Sequence, residues 1–379
     1  MSPQESDKQQ GPPVADHDAT TWKESPFLLI KGFFMGSADI VPGVSGGTLA
    51  LILGIYSRLI HAIKSLNKKS VGAIFRFDFG GAFSELHWRF LVVLMAGILS
   101  AFLFFTKVVP LQVYMFTDPE IVYGLFFGLI VGSIFFLFNE IEHFHWYHLV
   151  FVLAGTLIGF WVVTLVPTQT PESPFFVFFS GSIAICAMVL PGISGSYILL
   201  ILRKYDYILA QIGRLGSEDT VQALLILAPF GLGAVVGLVI FSRILSWLLD
   251  HYYAATLAAL IGFLIGSLYV IWPYQHREYH ETVENRQVVE MQHPKVQELR
   301  EHSADRLRPE YEMLGDTLTK KGVERVELLT VKRKLIRSRP YLPYYSASTP
   351  TDFSNSMLWR GIGGILVGFL LVGALERIR

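Results

Sequence analysis

Long apolar runs alternate with short polar breaks along most of the chain. A helix rising ~1.5 Å per residue needs ~20 apolar residues to cross ~30 Å of hydrocarbon. Six runs meet that requirement without interruption: 90–109, 121–138, 148–166, 222–249, 253–272 and 357–375. Two further apolar stretches, 27–63 and 175–212, are each split by a Pro-Gly step after a short first arm. Proline has no N–H to donate and clashes with the turn before it, so a helix ends at Pro42 and at Pro191. Each split stretch is expected to form a re-entrant hairpin that enters the bilayer and returns to its own side.

The interruptions repeat each other. Residues 38–48 read Ala-Asp-Ile-Val-Pro-Gly-Val-Ser-Gly-Gly-Thr, and 187–197 read Ala-Met-Val-Leu-Pro-Gly-Ile-Ser-Gly-Ser-Tyr. Pro42, Gly43, Ser45, Gly46 and Tyr56 recur at one constant offset as Pro191, Gly192, Ser194, Gly195 and Tyr205. The helices that follow repeat as well. Phe105-Thr106-Lys107-Val108 matches Phe241-Ser242-Arg243-Ile244, Gly128 and Gly132 match Gly262 and Gly266, and Gly155 and Gly159 match Gly364 and Gly368. The paired glycines, four apart, suit close helix packing. Each half therefore reads as one hairpin and three helices. A hairpin crosses zero times and three helices an odd number, so the second half enters from the opposite face. The expected fold is an all-α polytopic membrane protein built as an inverted-topology repeat.

This divides the chain into a polar tail over 1–24, a first repeat over 25–168, a second over 169–272 and 356–379, and an insert over 273–355 that is expected to be extracytoplasmic. The tail is expected to be disordered and cytoplasmic. In the insert, 286–314 and 323–336 have amphipathic helical spacing, and 339–351 reads as a loop.

Composition narrows the class further. Only 16% of residues are charged, against about 25% in soluble domains. Lys plus Arg balances Asp plus Glu at 31 each, so nothing suggests a nucleic-acid partner. The one cysteine, Cys186, rules out an intrachain disulfide or a cysteine-based metal cluster. The loop 62–89 carries Lys64, Lys68, Lys69, Arg76 and Arg89, while 110–120 and 167–174 carry no Lys or Arg. The excess of cations on cytoplasmic loops then places the N-terminus and the base of the first hairpin in the cytoplasm. Arg203, Lys204 and Arg214 run against that rule at the base of the second hairpin.

The candidate chemistry sits at the two tips. Gly43, Gly46 and Gly47 let the chain turn sharply and bring bare backbone near a ligand. The arm after each tip begins as a helix whose first N–H groups lack intrahelical partners and carry partial positive charge. Ser45, Thr48, Ser194 and Ser196 add hydroxyl donors. Two such starts meeting at mid-membrane would hold an anion, and phosphate is the obvious guest; capping and packing of a kinked helix is the structural alternative. Asp39, just before the first tip, is replaced by Met188 in the second copy. A carboxylate at that depth costs about 2.5–3.5 kcal/mol, which makes it a candidate partner for a cation or a proton. Arg58, Arg203, Lys107 and Arg243 are candidate anion partners, with Lys31 and Lys204 beside them. No nucleotide loop, nucleophile triad or metal set accompanies these residues, so neither a cofactor nor catalysis is expected. Residues 332–340 open like a lipid-phosphatase signature, but its later Ser-Gly-His and Arg/His elements are missing. His143, His145 and His148 with Glu140 and Glu142 read as an interfacial belt and not as a metal site.

Three motifs carry a resemblance. Gly36-Ser-Ala-Asp-Ile-Val-Pro-Gly-Val-Ser-Gly-Gly-Thr48 leading to Gly54-Ile-Tyr56, Ala187-Met-Val-Leu-Pro-Gly-Ile-Ser-Gly-Ser196 leading to Tyr205, and Gly262-x3-Gly-Ser-Leu268 leading to Ile271-Trp-Pro273 resemble those of the polyprenyl-phosphate transporter (PopT) family of prokaryotic membrane proteins. The resemblance covers roughly residues 25–275 and the last helix. It implies movement of undecaprenyl phosphate, the carrier lipid of cell-wall precursors, from the outer to the inner leaflet of the bacterial cytoplasmic membrane. The partners it implies are that lipid, the bilayer, and a proton or other coupling ion. An inorganic-anion channel or exchanger is the alternative that the tips alone would equally suit. Arg203 departs from the resemblance where glycine is expected, and the long insert after Pro273 departs from it too.

Overall fold

A computed structural model describes residues 20–41, 44–65, 86–142, 144–167, 170–301, 308–320, 323–344 and 353–377. Pro42 and Gly43 of the first tip, residues 1–19 of the tail, Lys68, Lys69 and Arg76 of the first loop, and His143 lie outside the described residues. Of the residues assigned to the tail, Thr20–Glu24 are held in place. Thr20 is buried and accepts a hydrogen bond from Arg58 at 2.7 Å.

The membrane part is helical. The first stretch forms α1 (Ser25–Asp39), α2 (Gly46–Ile52) and α3 (Tyr56–Lys64). It is followed by α4 (Trp88–Lys107), a short α5 (Leu111–Thr117), α6 (Pro119–Glu140) and α7 (His148–Thr164). The second stretch forms α8 (Pro174–Val189), α9 (Gly195–Ile201) and α10 (Tyr205–Gly213). Then come α11 (Thr220–His251), α12 (Tyr253–Ile271) and, after the insert, α14 (Asn355–Glu376). Five of these, α4, α6, α11, α12 and α14, are long and apolar enough to cross a membrane. The expected span at 148–166 forms a 17-residue helix, short of that length. The pair α2–α3 passes the same test only as one unit, and it bends by 118° at its break.

That bend corrects one expectation. The arm after each tip is two helices and not one. In both copies the first helix ends in the same Schellman-type turn. Gly54 N donates to Leu51 O and Ile55 N to Ala50 O; Arg203 N donates to Leu200 O and Lys204 N to Leu199 O. The turn needs a residue in the left-handed region, and Gly54 has φ +68°. At the equivalent position Arg203 holds φ +51°, a conformation unfavourable to any side chain. The glycine missing before the second Tyr motif is thus a left-handed turn occupied by arginine.

Glycine stripes set the packing. Gly32 and Gly36 lie against Gly97 and Ala101, so α1 and α4 run parallel. Gly233 and Gly237 lie against Phe178 and Ser182, so α8 and α11 do the same. Gly155 and Gly159 face Gly262 and Gly266 between parallel α7 and α12. Gly124, Gly128 and Gly132 face Gly361, Ile365 and Val372 between parallel α6 and α14. Backbones approach so closely at these points that no Cβ fits without a shift, which is how small residues let helices associate inside lipid. The end of α3 docks on the end of α11, where His61 Nε2 faces Asp250 Oδ1 at 3.2 Å and Lys64 Nζ donates to Ser246 Oγ at 2.9 Å.

The insert is where sequence and structure differ most. In place of helices over 286–314 and 323–336, it forms a three-stranded antiparallel sheet, order β1-β3-β2. The strands are β1 (Gln275–Glu290), β2 (Glu310–Lys320) and β3 (Val323–Pro340), with a short helix, α13 (Pro294–Glu301), among the described residues between β1 and β2. Val326 and Leu328 are buried in alternation along β3. Two-residue alternation with β-branched residues outweighed the helical propensity of the Lys, Arg and Glu between them. The sheet is seated on the helices by Trp272 Nε1 donating to Tyr341 O, Tyr274 OH donating to Leu358 O, and the Arg277 guanidinium lying 4.4 Å above the Tyr123 ring.

Candidate functional site

The tips are built from helix ends. Helix α1 stops at Asp39, and α2 starts at Gly46 with Ser45 as its extended N-cap. Helix α8 stops at Val189, and α9 starts at Gly195 after Ser194. Residues near a helix break leave backbone groups without intrahelical partners, and in hydrocarbon each must be satisfied within the protein.

The first tip answers that demand by bonding to the second. Ser45 Oγ lies 3.1 Å from Met188 O and 3.2 Å from Leu190 O, and can donate to either. Tyr56 OH donates to Val189 O at 3.2 Å. Gly192 N donates to Thr48 Oγ1 at 3.0 Å. Gly47 packs directly on the Val189 carbonyl, where a Cβ would fall 2.6 Å from the oxygen. Thr48 is completely buried and Tyr56 is 2% exposed. The loose backbone at the end of α8 is therefore held by three side chains from the other half.

The first tip also closes on itself. Asp39 Oδ1 accepts from Gly46 N at 2.7 Å, and Ser45 Oγ accepts from Gly47 N at 3.1 Å. The carboxylate stands at the start of α2, where an anion would bind. The second tip is arranged differently. Ser194 caps no backbone N–H; its hydroxyl pairs with Ser196 at 2.8 Å. Among the described residues, the N–H groups of Gly195, Ser196 and Tyr197 take no partner. Pro191, Gly192 and Gly195 are buried, while Ser196 and Met188 are exposed. Gly192 has φ +81° and rests against the Phe263 carbonyl, so it needs to be glycine on both counts.

The structure does not bring the candidate cations to the tips. Arg58 binds Thr20, pairs with Glu24 at 3.5 Å and lies over the Phe90 ring. Lys107 is exposed in the last turn of α4, and Arg243 is exposed on α11. Arg203 is exposed at the turn between α9 and α10. Lys31 Nζ donates to Leu53 O at 2.9 Å, closing the end of α2. Lys204 is 2% exposed, donates to Thr170 O at 3.2 Å and lies over the Phe176 and Tyr207 rings. Tyr56 is the residue whose part at the tips sequence reasoning missed. Its recurrence in the repeat was the available signal, but a tyrosine ten residues past a tip says nothing of where its hydroxyl ends.

The fold and these tips define a multi-pass membrane protein in which two interrupted helical segments, one from each half, are bonded together in the interior. Residues 35–289 match the family model described as VCA0040-like, undecaprenyl phosphate translocase-like. The chain belongs to that family. It is 39% identical over 246 residues to a polyprenyl-phosphate transporter of Vibrio cholerae serotype O1, a match covering 65% of this chain and 77% of that protein. It is 34% identical over 259 residues to a polyprenyl-phosphate transporter of Staphylococcus aureus, covering 65% of this chain and 85% of that protein. No solved structure matches the chain.

Proposed function

We propose that this chain carries undecaprenyl or a similar polyprenyl phosphate across the bacterial cytoplasmic membrane, returning the carrier lipid for envelope synthesis without performing chemistry on it. The names of the two relatives support the cargo. The phosphate binds where the tips meet while the apolar tail remains in lipid. The observation that carries this reading is the set of bonds joining Ser45, Thr48 and Tyr56 to residues 188–192, because it brings both interruptions to one place.

An inverted repeat is supported by the helix pairings. If consecutive α6 and α7 both cross the membrane, they run in opposite directions. Helix α12 runs with α7 and α14 with α6, so each helix pairs with the non-equivalent partner and equivalent helices oppose each other. Re-entrant hairpins are supported by parallel α1 and α4, and by parallel α8 and α11, since the chain must turn back between members of each pair. The cytoplasmic N-terminus follows from the loop charges.

In this mechanism the second tip receives the phosphate first, through Ser194, Ser196 and the N–H groups of Gly195 and Ser196. Pro42 and Gly43 complete the first tip. Arg203 meets the incoming head group at the mouth of the second hairpin, with Lys107 and Arg243 at more distant surfaces. The Asp39 carboxylate would repel the phosphate while it occupies the start of α2. Protonating Asp39 removes that repulsion and frees Gly46 N–H, which couples a proton to cargo entry. Replacing Ser194 and Ser196 together by alanine should lower translocation of polyprenyl phosphate in proteoliposomes by about tenfold, the loss of ~1.4 kcal/mol of head-group binding. Replacing Ser45 and Ser194 by leucine should abolish it. Normal rates from both variants at normal expression would remove the tips from the transport path.

A further inference from the structure

Beside the first tip lies a cavity of about 160 Å³ that the head-group mechanism does not use. Its wall comes from Phe33, Phe105, Leu129 and Leu371 with their neighbours on α1, α4, α6 and α14. Phe33 is fixed against Phe104 and Phe105 at ring separations of 5.6 and 5.9 Å. Among the described residues Ser37 is the one polar residue in the wall, and its hydroxyl already donates to Phe33 O at 2.7 Å. The cavity thus offers an occupant no hydrogen bond, only apolar and aromatic contact. A dry apolar cavity of ~150 Å³ accommodates a molecule the size of benzene, with six carbons, so this one has room for about one five-carbon unit.

Two features place the cavity relative to the tips. Leu49 in its wall follows Thr48, the residue that accepts from Gly192 at the junction. Ser37 stands two residues before Asp39. At the other side Leu371 is 37% exposed, leaving a way out between helices toward lipid.

We propose that this cavity binds the first isoprene unit of the cargo, next to its phosphate, with the rest of the chain leaving past Leu371. The inference rests on the head-group reading above and adds the part of the cargo that distinguishes it from other phosphates. Methyl branches broaden an isoprenoid chain to fill a space that a straight acyl chain leaves partly empty, and unfilled apolar space forfeits contact energy.

Farnesyl phosphate, dodecyl phosphate and farnesol test this on the full chain in nanodiscs. The first two share a twelve-carbon backbone and a phosphate but differ in methyl branching and unsaturation, the two marks of an isoprenoid chain; farnesol lacks the phosphate. The wild-type protein should bind farnesyl phosphate about tenfold more tightly than dodecyl phosphate. Leu129→Phe fills the cavity, and Leu371→Trp narrows its exposed rim with little risk to folding; both should erase that preference. Equal wild-type affinity for the two phosphates, or an unchanged preference in both variants, overturns the tail site. Farnesol binding as tightly as farnesyl phosphate would instead overturn the head-group reading and leave the cavity standing. A photoreactive farnesyl phosphate on the unmodified chain should label peptides bearing Phe33, Phe105 or Leu371. Label confined to other segments would also overturn the proposal.

Discussion

The two tips repeat one motif yet handle the same physical problem in opposite ways. At the first, an acidic residue and a serine take the N–H groups at the start of α2, and Ser45, Thr48 and Tyr56 reach across to the other half. At the second, the position of Asp39 is Met188, Ser194 and Ser196 bond to each other, and Tyr205 is 37% exposed where Tyr56 is buried. One copy has become the structural half of the junction, and the other keeps donors open. The same helix break thus occurs twice, with its hydroxyl and N–H groups tied into the junction at one copy and turned to each other or left open at the other.

That contrast breaks most sharply at Gly47 and its counterpart Ser196. A side chain at Gly47 would collide with the Val189 carbonyl at 2.6 Å in a buried junction. Gly47→Val should destabilise by about 3 kcal/mol through overpacking, seen as a large drop in thermal unfolding temperature in detergent. Ser196→Val, on an exposed position, should stay within about 0.5 kcal/mol of wild type and lose transport. Equal stability losses at both positions would mean the tips are structurally interchangeable.

Asp39 comes next. Asp39→Asn keeps a group able to accept from Gly46 N but cannot gain or lose a proton there. We expect folded protein whose transport no longer responds to a pH gradient, whereas the wild type speeds up as the side from which Asp39 is reached is acidified. The sign follows from the carboxylate: only its protonated form stops repelling the phosphate. An unaltered pH response in the Asn variant would assign Asp39 to capping alone.

Much of this contrast could be read before the structure, and its limits are physical. The interruptions were legible because Pro-Gly acts locally and the repetition marked it twice. That Asp39 caps Gly46 was not, since a carboxylate seven residues upstream of a helix start can turn to several partners. The break in each returning arm was signalled by Gly54 and hidden by Arg203, which occupies a turn that arginine disfavours. The sheet was missed because β1 and β3 recognise each other across more than thirty intervening residues, from Glu290 to Val323 at the nearest. Local periodicity in a segment rich in Lys, Arg and Glu favours helix, and only pairing with a distant strand reverses it.

A smaller effect is expected at the tyrosines. Tyr56→Phe leaves the Val189 carbonyl without its donor in a dry interior and should cost about 1–3 kcal/mol. Tyr205→Phe should be close to neutral. The pair of substitutions measures the asymmetry directly, by the difference of two unfolding shifts. If Tyr205→Phe is the more damaging, the structural role belongs to the second tip.

The smallest expected effect separates strain from charge at Arg203. A left-handed backbone costs a residue with a side chain ~1–2 kcal/mol, and glycine's greater freedom in the unfolded chain returns part of any gain. Arg203→Gly should therefore stabilise by about 0.5 kcal/mol, while Gly54→Ala in the matching turn should destabilise by about 1 kcal/mol. If the guanidinium meets the phosphate, its loss at an exposed position is worth ~0.2–1 kcal/mol, a fall in transport of about 1.4- to fivefold. Asparagine tolerates the left-handed region and carries no charge, so Arg203→Asn should lose transport as Arg203→Gly does without the same change in stability. Transport maintained in both variants, with stability raised in the glycine one, would leave Arg203 as a strained residue at a turn and move the cation that greets the cargo elsewhere on that face.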